Sequence, residues 1–265
     1  MRYLIGLLIF SIIAVGCTEP KEKSFLKERM VSLASPRVHS TNTIIDSIVI
    51  VSADFRLKGA QIFYTTDGSI PTRTSNKYNK PFSTNKEGLY QFKVFHSKWK
   101  PSEITELKLY KKGITPHKIN WHTNASDSYK GMGTTTVINQ RKASLNFRDT
   151  EWVGFDTIAK ASISFEKSSY IESISVGYLI NQKSWIFPPE RITIYLNNID
   201  TIEVNIPKSE ETTLRKLEDV KININKEVKT LTISVSNLTQ LPEWHPGKGN
   251  KAWLFMDEWI FHEKK

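Results

Sequence analysis

From Pro36 to the C-terminus no stretch of this chain carries apolar residues at i, i+3, i+4 and i+7, which removes amphipathic helices from its core. Short runs rich in β-branched and aromatic residues take their place. Residues 44–51, 61–66, 88–94 and 104–110 form one series; residues 160–166, 171–178, 191–196, 202–206, 220–224 and 229–235 form a second. Within 88–94, Tyr90, Phe92 and Val94 fall on one face of a period-two strand. Asp67-Gly68 closes the second run, and such a pair favours a tight turn with positive φ. Short strands at roughly ten-residue spacing indicate β-sandwiches, so the chain reads as all-β. Lys111-Lys112-Gly113 separates the two series, giving expected domains 36–112 and 113–265. Cys17 is the only cysteine, so each domain must rest on an apolar core without disulfides.

The N-terminus has a different character. Met1-Arg2 precedes an apolar run over 3–13, too short for the ~20 residues that span a bilayer. A basic start, a short apolar stretch and small residues read as a secretory signal. Ala14-Val15-Gly16-Cys17 resembles a bacterial lipobox, with Ala14 where Leu is usual. On that reading residues 1–17 are a lipoprotein signal and Cys17 is the acylated first residue of the mature chain. The other reading makes Cys17 an incidental or buried thiol. Residues 18–35 are polar and charged and read as a tether. These features place the chain in the cell envelope, held to a membrane by lipid, on a periplasmic or surface face. The formal net charge of +10 is spread without a run of five like charges. A nucleic-acid protein would gather its Lys and Arg in a stripe or motif, so no nucleic-acid partner is expected.

Motifs for catalysis are missing. None of His39, His96, His117, His122, His245 and His262 falls in an HExxH spacing, and there is no GxSxG, P-loop or GxGxxG. Asp257-Glu258 is a carboxylate pair, but neighbours on a strand point to opposite faces and would not flank one glycosidic bond. We therefore expect no enzyme. Trp244, His245, Trp185 and Trp253 are the candidate ligand-binding residues. An indole ring gives a flat apolar surface for the C–H face of a sugar, and a His beside it can serve a hydroxyl. Pro242, Pro246, Gly247 and Gly249 place Trp244 and His245 in a loop. The competing reading makes these aromatics core residues.

Two resemblances follow from particular motifs. Tyr64-Thr65-Thr66-Asp67-Gly68-Ser69-Ile70-Pro71-Thr72, with Ser75, Tyr78, Pro81-Phe82 and Ser102, resembles the chitobiase/β-hexosaminidase C-terminal domain. Trp99 stands where those relatives often have Gly. Trp152-Val153-Gly154-Phe155, residues 174–179, Ser184-Trp185-Ile186-Phe187-Pro188 and residues 242–258 resemble an F5/8 type C (discoidin-like) domain. The tandem is similar to the tail of Bacteroidetes family-20 β-N-acetylhexosaminidases, without their catalytic barrel, which needs about 250 residues. The resemblance implies an immunoglobulin-like β-sandwich followed by a discoidin-like jelly roll. It implies binding of N-acetylhexosamine- or galactose-containing glycans through loops of the second domain. It also implies a possible structural Ca²⁺ at Asn139 and Glu258, although Gln140, Arg141 and Lys142 depart from the usual calcium loop. The alternative function is a structural module that docks a separate glycosidase or another surface protein.

Overall fold

The computed structural model describes residues 31–197 and 199–264. Cys17, the signal and most of the tether lie outside the described residues. The domain following the tether begins earlier than the sequence suggests. Leu33 N–H donates to the Lys100 carbonyl at 3.0 Å, Lys100 N–H donates back to Val31 at 3.1 Å, and Leu33 packs on the first core. Residues 31–35 are thus part of the first sandwich.

That sandwich has two sheets. One is ordered β1 (Arg37–Ser40), β3 (Val49–Asp54), β6 (Phe82–Thr84). The other runs β2 (Ile44–Ile45), β8 (Thr105–Lys111), β7 (Gly88–Phe95), β4 (Gln61–Thr65), β5 (Asn76–Tyr78). The single run read over 44–51 splits into β2 and β3, which lie in different sheets. Alternation along β7 and β4 buries Tyr90, Phe92, Val94 and Ile62 between the layers with Val49, Val51 and Leu109. Tyr64, Tyr78 and Phe82 pack against this core, Tyr64 stacking on Phe82 at 4.9 Å and on Phe92 at 5.5 Å. Gly68 adopts φ +77° in the Asp67-Gly68 turn, as the sequence requires. Trp99 is half-buried.

The second domain is a jelly-roll sandwich whose two longest strands serve both layers. Runs that read as separate strands join into β11 (Ala159–Ile180) and β14 (Lys216–Ser236). They pair antiparallel, with register shifts between Ser164 and Ser169 and between Ile171 and Ser173. Bulges of this kind let one strand bend from one layer into the other. The first half of β11 lies between β9 (Lys118–Trp121) and the second half of β14, followed by β12 (Arg191–Leu196) and β13 (Asp200–Asn205). The second half of β11 lies between β14 and β15 (Leu254–Glu263), with β10 (Val153–Phe155) beyond. Ile163, Phe165, Ile174, Val176, Ile233 and Trp259 meet between the layers.

The two domains meet through polar contacts. Lys108 Nζ lies 2.9 Å from Asp219 Oδ1, and the Tyr110 hydroxyl donates to the same oxygen at 2.6 Å. Ile114 N–H donates to Phe261 at 2.9 Å, and Gly113 fits because a Cβ there would lie 2.3 Å from the Phe261 carbonyl oxygen.

Candidate functional site

At one end of the jelly roll, two loops and a strand connection enclose a cavity of about 510 Å³. Phe187 and Trp244 give it apolar surface, and Glu190, Lys208, Glu210 and Gln240 give it polar groups. Pro188 and Pro189 are buried and stiffen the wall that carries Phe187. The Phe187 and Trp244 rings are 6.0 Å apart and tilted by 39°. Trp244 remains 39% exposed, so its indole is available to a ligand.

The loop bearing Trp244 is held from within by His245, which is only 5% exposed. Its Nδ1 accepts the Gly247 N–H at 3.0 Å, which leaves Nε2–H to donate to the Gln182 carbonyl at 2.9 Å. Edge-on contacts to Phe187 at 5.5 Å and Trp185 at 6.2 Å fix the ring. Gln182, itself buried, carries this order to the opposite wall. Its amide nitrogen donates to Ser209 Oγ at 2.8 Å and the Glu210 carbonyl at 2.7 Å, and its Oε1 accepts the Thr212 N–H at 2.7 Å. One backbone carbonyl and one side-chain amide of the same residue therefore fix both walls.

The four candidates read from the sequence divide. Trp244 lines the cavity. Trp185 is exposed at 39% beside it, in a left-handed conformation (φ +64°), with its ring against Gly247, where a Cβ would come within 2.8 Å. His245 is no ligand contact: both ring nitrogens are used inside the protein, and its part is to position the loop. Trp253 is half-buried in a second cluster with Tyr129 and Phe255, at ring distances of 5.3 and 6.1 Å, so it packs. Sequence reasoning missed Gln182, Glu190 and the 208–210 wall. The available signal was the clustering of Pro188, Pro189, Pro207 and Pro242, residues that punctuate loops and here surround one cavity.

The expected metal centre takes another form. Val176 pairs with Trp259 and Tyr178 with Met256, so Asp257 and Glu258 together oppose Gly177. This bulge overturns the expectation that the two carboxylates face apart. Both turn under the 139–143 loop and are buried, at 1% and 0% exposure. Lys142 Nζ contacts Asp257 Oδ1 at 2.6 Å, Ala143 N–H donates to Oδ2 at 3.2 Å, and Asn139 N–H donates to Glu258 Oε2 at 3.1 Å. Gly177 makes the room, since a Cβ there would lie 2.0 Å from Asp257 Oδ1 and 2.2 Å from Lys142 Nζ. The Asn139 side chain is also engaged, donating to Glu151 at 2.6 Å and accepting from Arg141 N–H at 2.9 Å. Burial pushes the Glu258 carboxyl up to about 8, so it is largely uncharged at neutral pH. Calcium needs six to eight oxygens, with charged carboxylates among them. Here the loop presents N–H groups and an ammonium, and the residues do not fit the ion. Among the described residues no group of three or more His, Cys, Asp or Glu could hold a metal.

Several solved structures are similar to parts of the chain at low identity. A CBM32 module of Clostridium perfringens, CpGH89CBM32-4 in complex with GlcNAc-α-1,4-galactose, is 9% identical, with a TM-score of 0.34 over 56% of this chain and 90% of that one. CBM32-3 from a family 31 glycoside hydrolase of the same organism is 13% identical, with a TM-score of 0.34 over 57% and 90%. A fucolectin from striped bass (Morone saxatilis) serum is 10% identical, with a TM-score of 0.34 over 86% of each chain. No curated protein matches the sequence. Within the first sandwich, residues 42–106, which include the Tyr64–Thr72 motif, match the family model of the chitobiase/beta-hexosaminidase C-terminal domain.

Proposed function

We propose that this chain is a non-catalytic cell-envelope lipoprotein, anchored through Cys17, that binds carbohydrate in the cavity lined by Trp244 and Phe187. The observation that carries the reading is the exposed Trp244 indole, set by a buried His245 at the mouth of a largely apolar cavity that also holds Glu190, Lys208, Glu210 and Gln240. The exposed Trp244 indole, backed by the buried Phe187 ring, offers a flat surface for the apolar face of a pyranose. Glu190, Lys208 and Gln240 supply acceptors and donors for its hydroxyls. An N-acetylhexosamine or galactose unit is the ligand class we favour. A half-open site of this size binds weakly, and many anchored copies offset this through avidity.

The test is a glycan array on the mature chain from residue 18 onward, with Trp244→Ala as control. A discrete hit, weakened at least about tenfold by the substitution, supports the assignment. A folded protein that binds no glycan refutes it and leaves the docking module as the reading to pursue.

A further inference from the structure

The outer face of the five-strand layer carries a row of side chains that the cavity at the loop end does not use. In register, Asn120 of β9 pairs with Ser162 of β11, Ser162 with Thr232 of β14, Thr232 with Tyr195 of β12, and Tyr195 with Thr201 of β13. Directly opposed residues project on the same face. On four of the strands the adjacent residue (Ile119, Ile163, Leu231 and Ile194) is buried in the core, and on β13 Ile202 packs against it, so the row points outward. Five consecutive strands thus present an amide, three aliphatic hydroxyls and a phenol, with no charge in the row. At ~4.8 Å between strands the row spans about 19 Å.

The row lies in a groove. Two adjoining hollows of about 470 and 280 Å³ share Ser162 and Thr232. Tyr195 is 40% exposed, with Lys160 Nζ 5.8 Å from its ring. Ser162 Oγ lies 2.8 Å from Thr232 Oγ1 and 2.6 Å from His122 Nε2. The hydroxyls are therefore held in place, and each retains capacity for a further hydrogen bond.

We infer that this face is a second binding site, separate from the Phe187–Trp244 cavity, for an extended neutral glycan lying across the strands. The chemistry selects the occupant. Uncharged groups that both donate and accept suit sugar hydroxyls. The exposed phenol ring suits the apolar face of one pyranose. A repeat set by strand spacing suits a linear chain better than a single sugar. The row itself holds neither a cation nor an apolar patch, while Lys160, Asp200 and the exposed Ile199 stand beside it in the hollow.

The test uses the intact chain and soluble linear β-1,4 oligosaccharides of glucose, N-acetylglucosamine, xylose and mannose, from dimer to hexamer, with polygalacturonate as the acidic probe. Isothermal titration is run on wild type, Tyr195→Ala, Thr232→Val and Trp244→Ala. The expected result is a hexamer of at least one series that binds about tenfold or more tighter than its dimer. Tyr195→Ala should lose about tenfold or more, Thr232→Val a smaller factor, and Trp244→Ala should retain hexamer binding. Thr232→Val keeps the branched shape, and a melting temperature within about 2 °C of wild type separates a lost contact from misfolding. No hexamer binding, equal affinity for dimer and hexamer, full binding by Tyr195→Ala, or binding of polygalacturonate alone would each overturn the inference. Hexamer binding that depends on Trp244 but not on Tyr195 would uphold the loop cavity and reject this face.

Discussion

Replacing Lys142 by Met removes, among the described residues, the side-chain cation paired with the buried Asp257 carboxylate. The Lys142 side chain is 5% exposed and that of Asp257 1%, at a separation of 2.6 Å. Met keeps the length and apolar character of the stem, so packing is little changed. Asp257 retains two backbone donors, Ala143 N–H at 3.2 Å and Glu258 N–H at 2.6 Å, but its charge is left uncompensated. Breaking a buried pair on one side costs about 3–5 kcal/mol. At about 2–4 °C per kcal/mol, the transition of the second domain should fall by roughly 6–20 °C. Urea unfolding at neutral pH measures the loss directly. Asp257→Asn should also destabilise, and the double variant should be less damaged than the sum of the two, by about 2 kcal/mol or more. A loss below about 1 kcal/mol for Lys142→Met, the scale of an exposed ion pair, would refute an internal ammonium at this position.

Three further outcomes test the same frame. Glu258 has a folded-state pKa of about 8 against an ordinary 4.5, because burial penalises its charged form. Its contribution to stability is full below about 4.5 and is lost as pH rises toward 8, at no more than about 1.4 kcal/mol per pH unit. Glu258→Gln should remove that slope, and the wild-type-minus-variant difference in urea unfolding isolates it from half-buried His262, whose pKa, lowered chiefly by desolvation, gives an opposite slope below 6.5. Because the 139–143 loop does not fit calcium, neither millimolar Ca²⁺ nor EDTA should move the melting temperature; a metal at 100 times its Kd would add about 2.7 kcal/mol and would be plain in the melt. Gln182→Leu should release the Ser209–Thr212 wall, with the Thr212 amide exchanging its hydrogen about tenfold faster and glycan binding at Trp244 weakened.

Periodicity made the architecture readable, because a strand with one buried face writes its pattern at every second residue. The runs at 61–66, 88–94 and 104–110 are of this kind, whereas the run at 44–51 hid the change of sheet between β2 and β3. The continuity of β11 and β14 was not readable, since a bulge near Ser164–Ser169 looks in sequence like the polar gap between two strands. The same ambiguity hid the carboxylates. Whether Asp257 and Glu258 face together depends on a one-residue slip against Gly177, and strand alternation alone gives the opposite answer. Trp244 could be placed on a loop from its prolines and glycines. His245 could not be told from a ligand contact, because its partners, Gly247 N–H and the Gln182 carbonyl, are backbone groups without a side-chain signature.

The junction between the domains bears on how any glycan would be presented. Asp219 receives both Lys108 and the Tyr110 hydroxyl, and burial with the nearby Asp219 charge holds that phenol protonated. Lys142, while paired with Asp257, also lies 5.0 Å from the Tyr110 ring. The ammonium that neutralises the interior of the jelly roll therefore leans on an aromatic of the neighbouring sandwich. A mobile linker would need solvated groups on both sides, whereas here Gly113 is pressed against the Phe261 carbonyl and Ile114 is hydrogen-bonded to it. The first sandwich then acts as a stiff arm. The Trp244 cavity and the Tyr195 groove keep fixed directions relative to that arm.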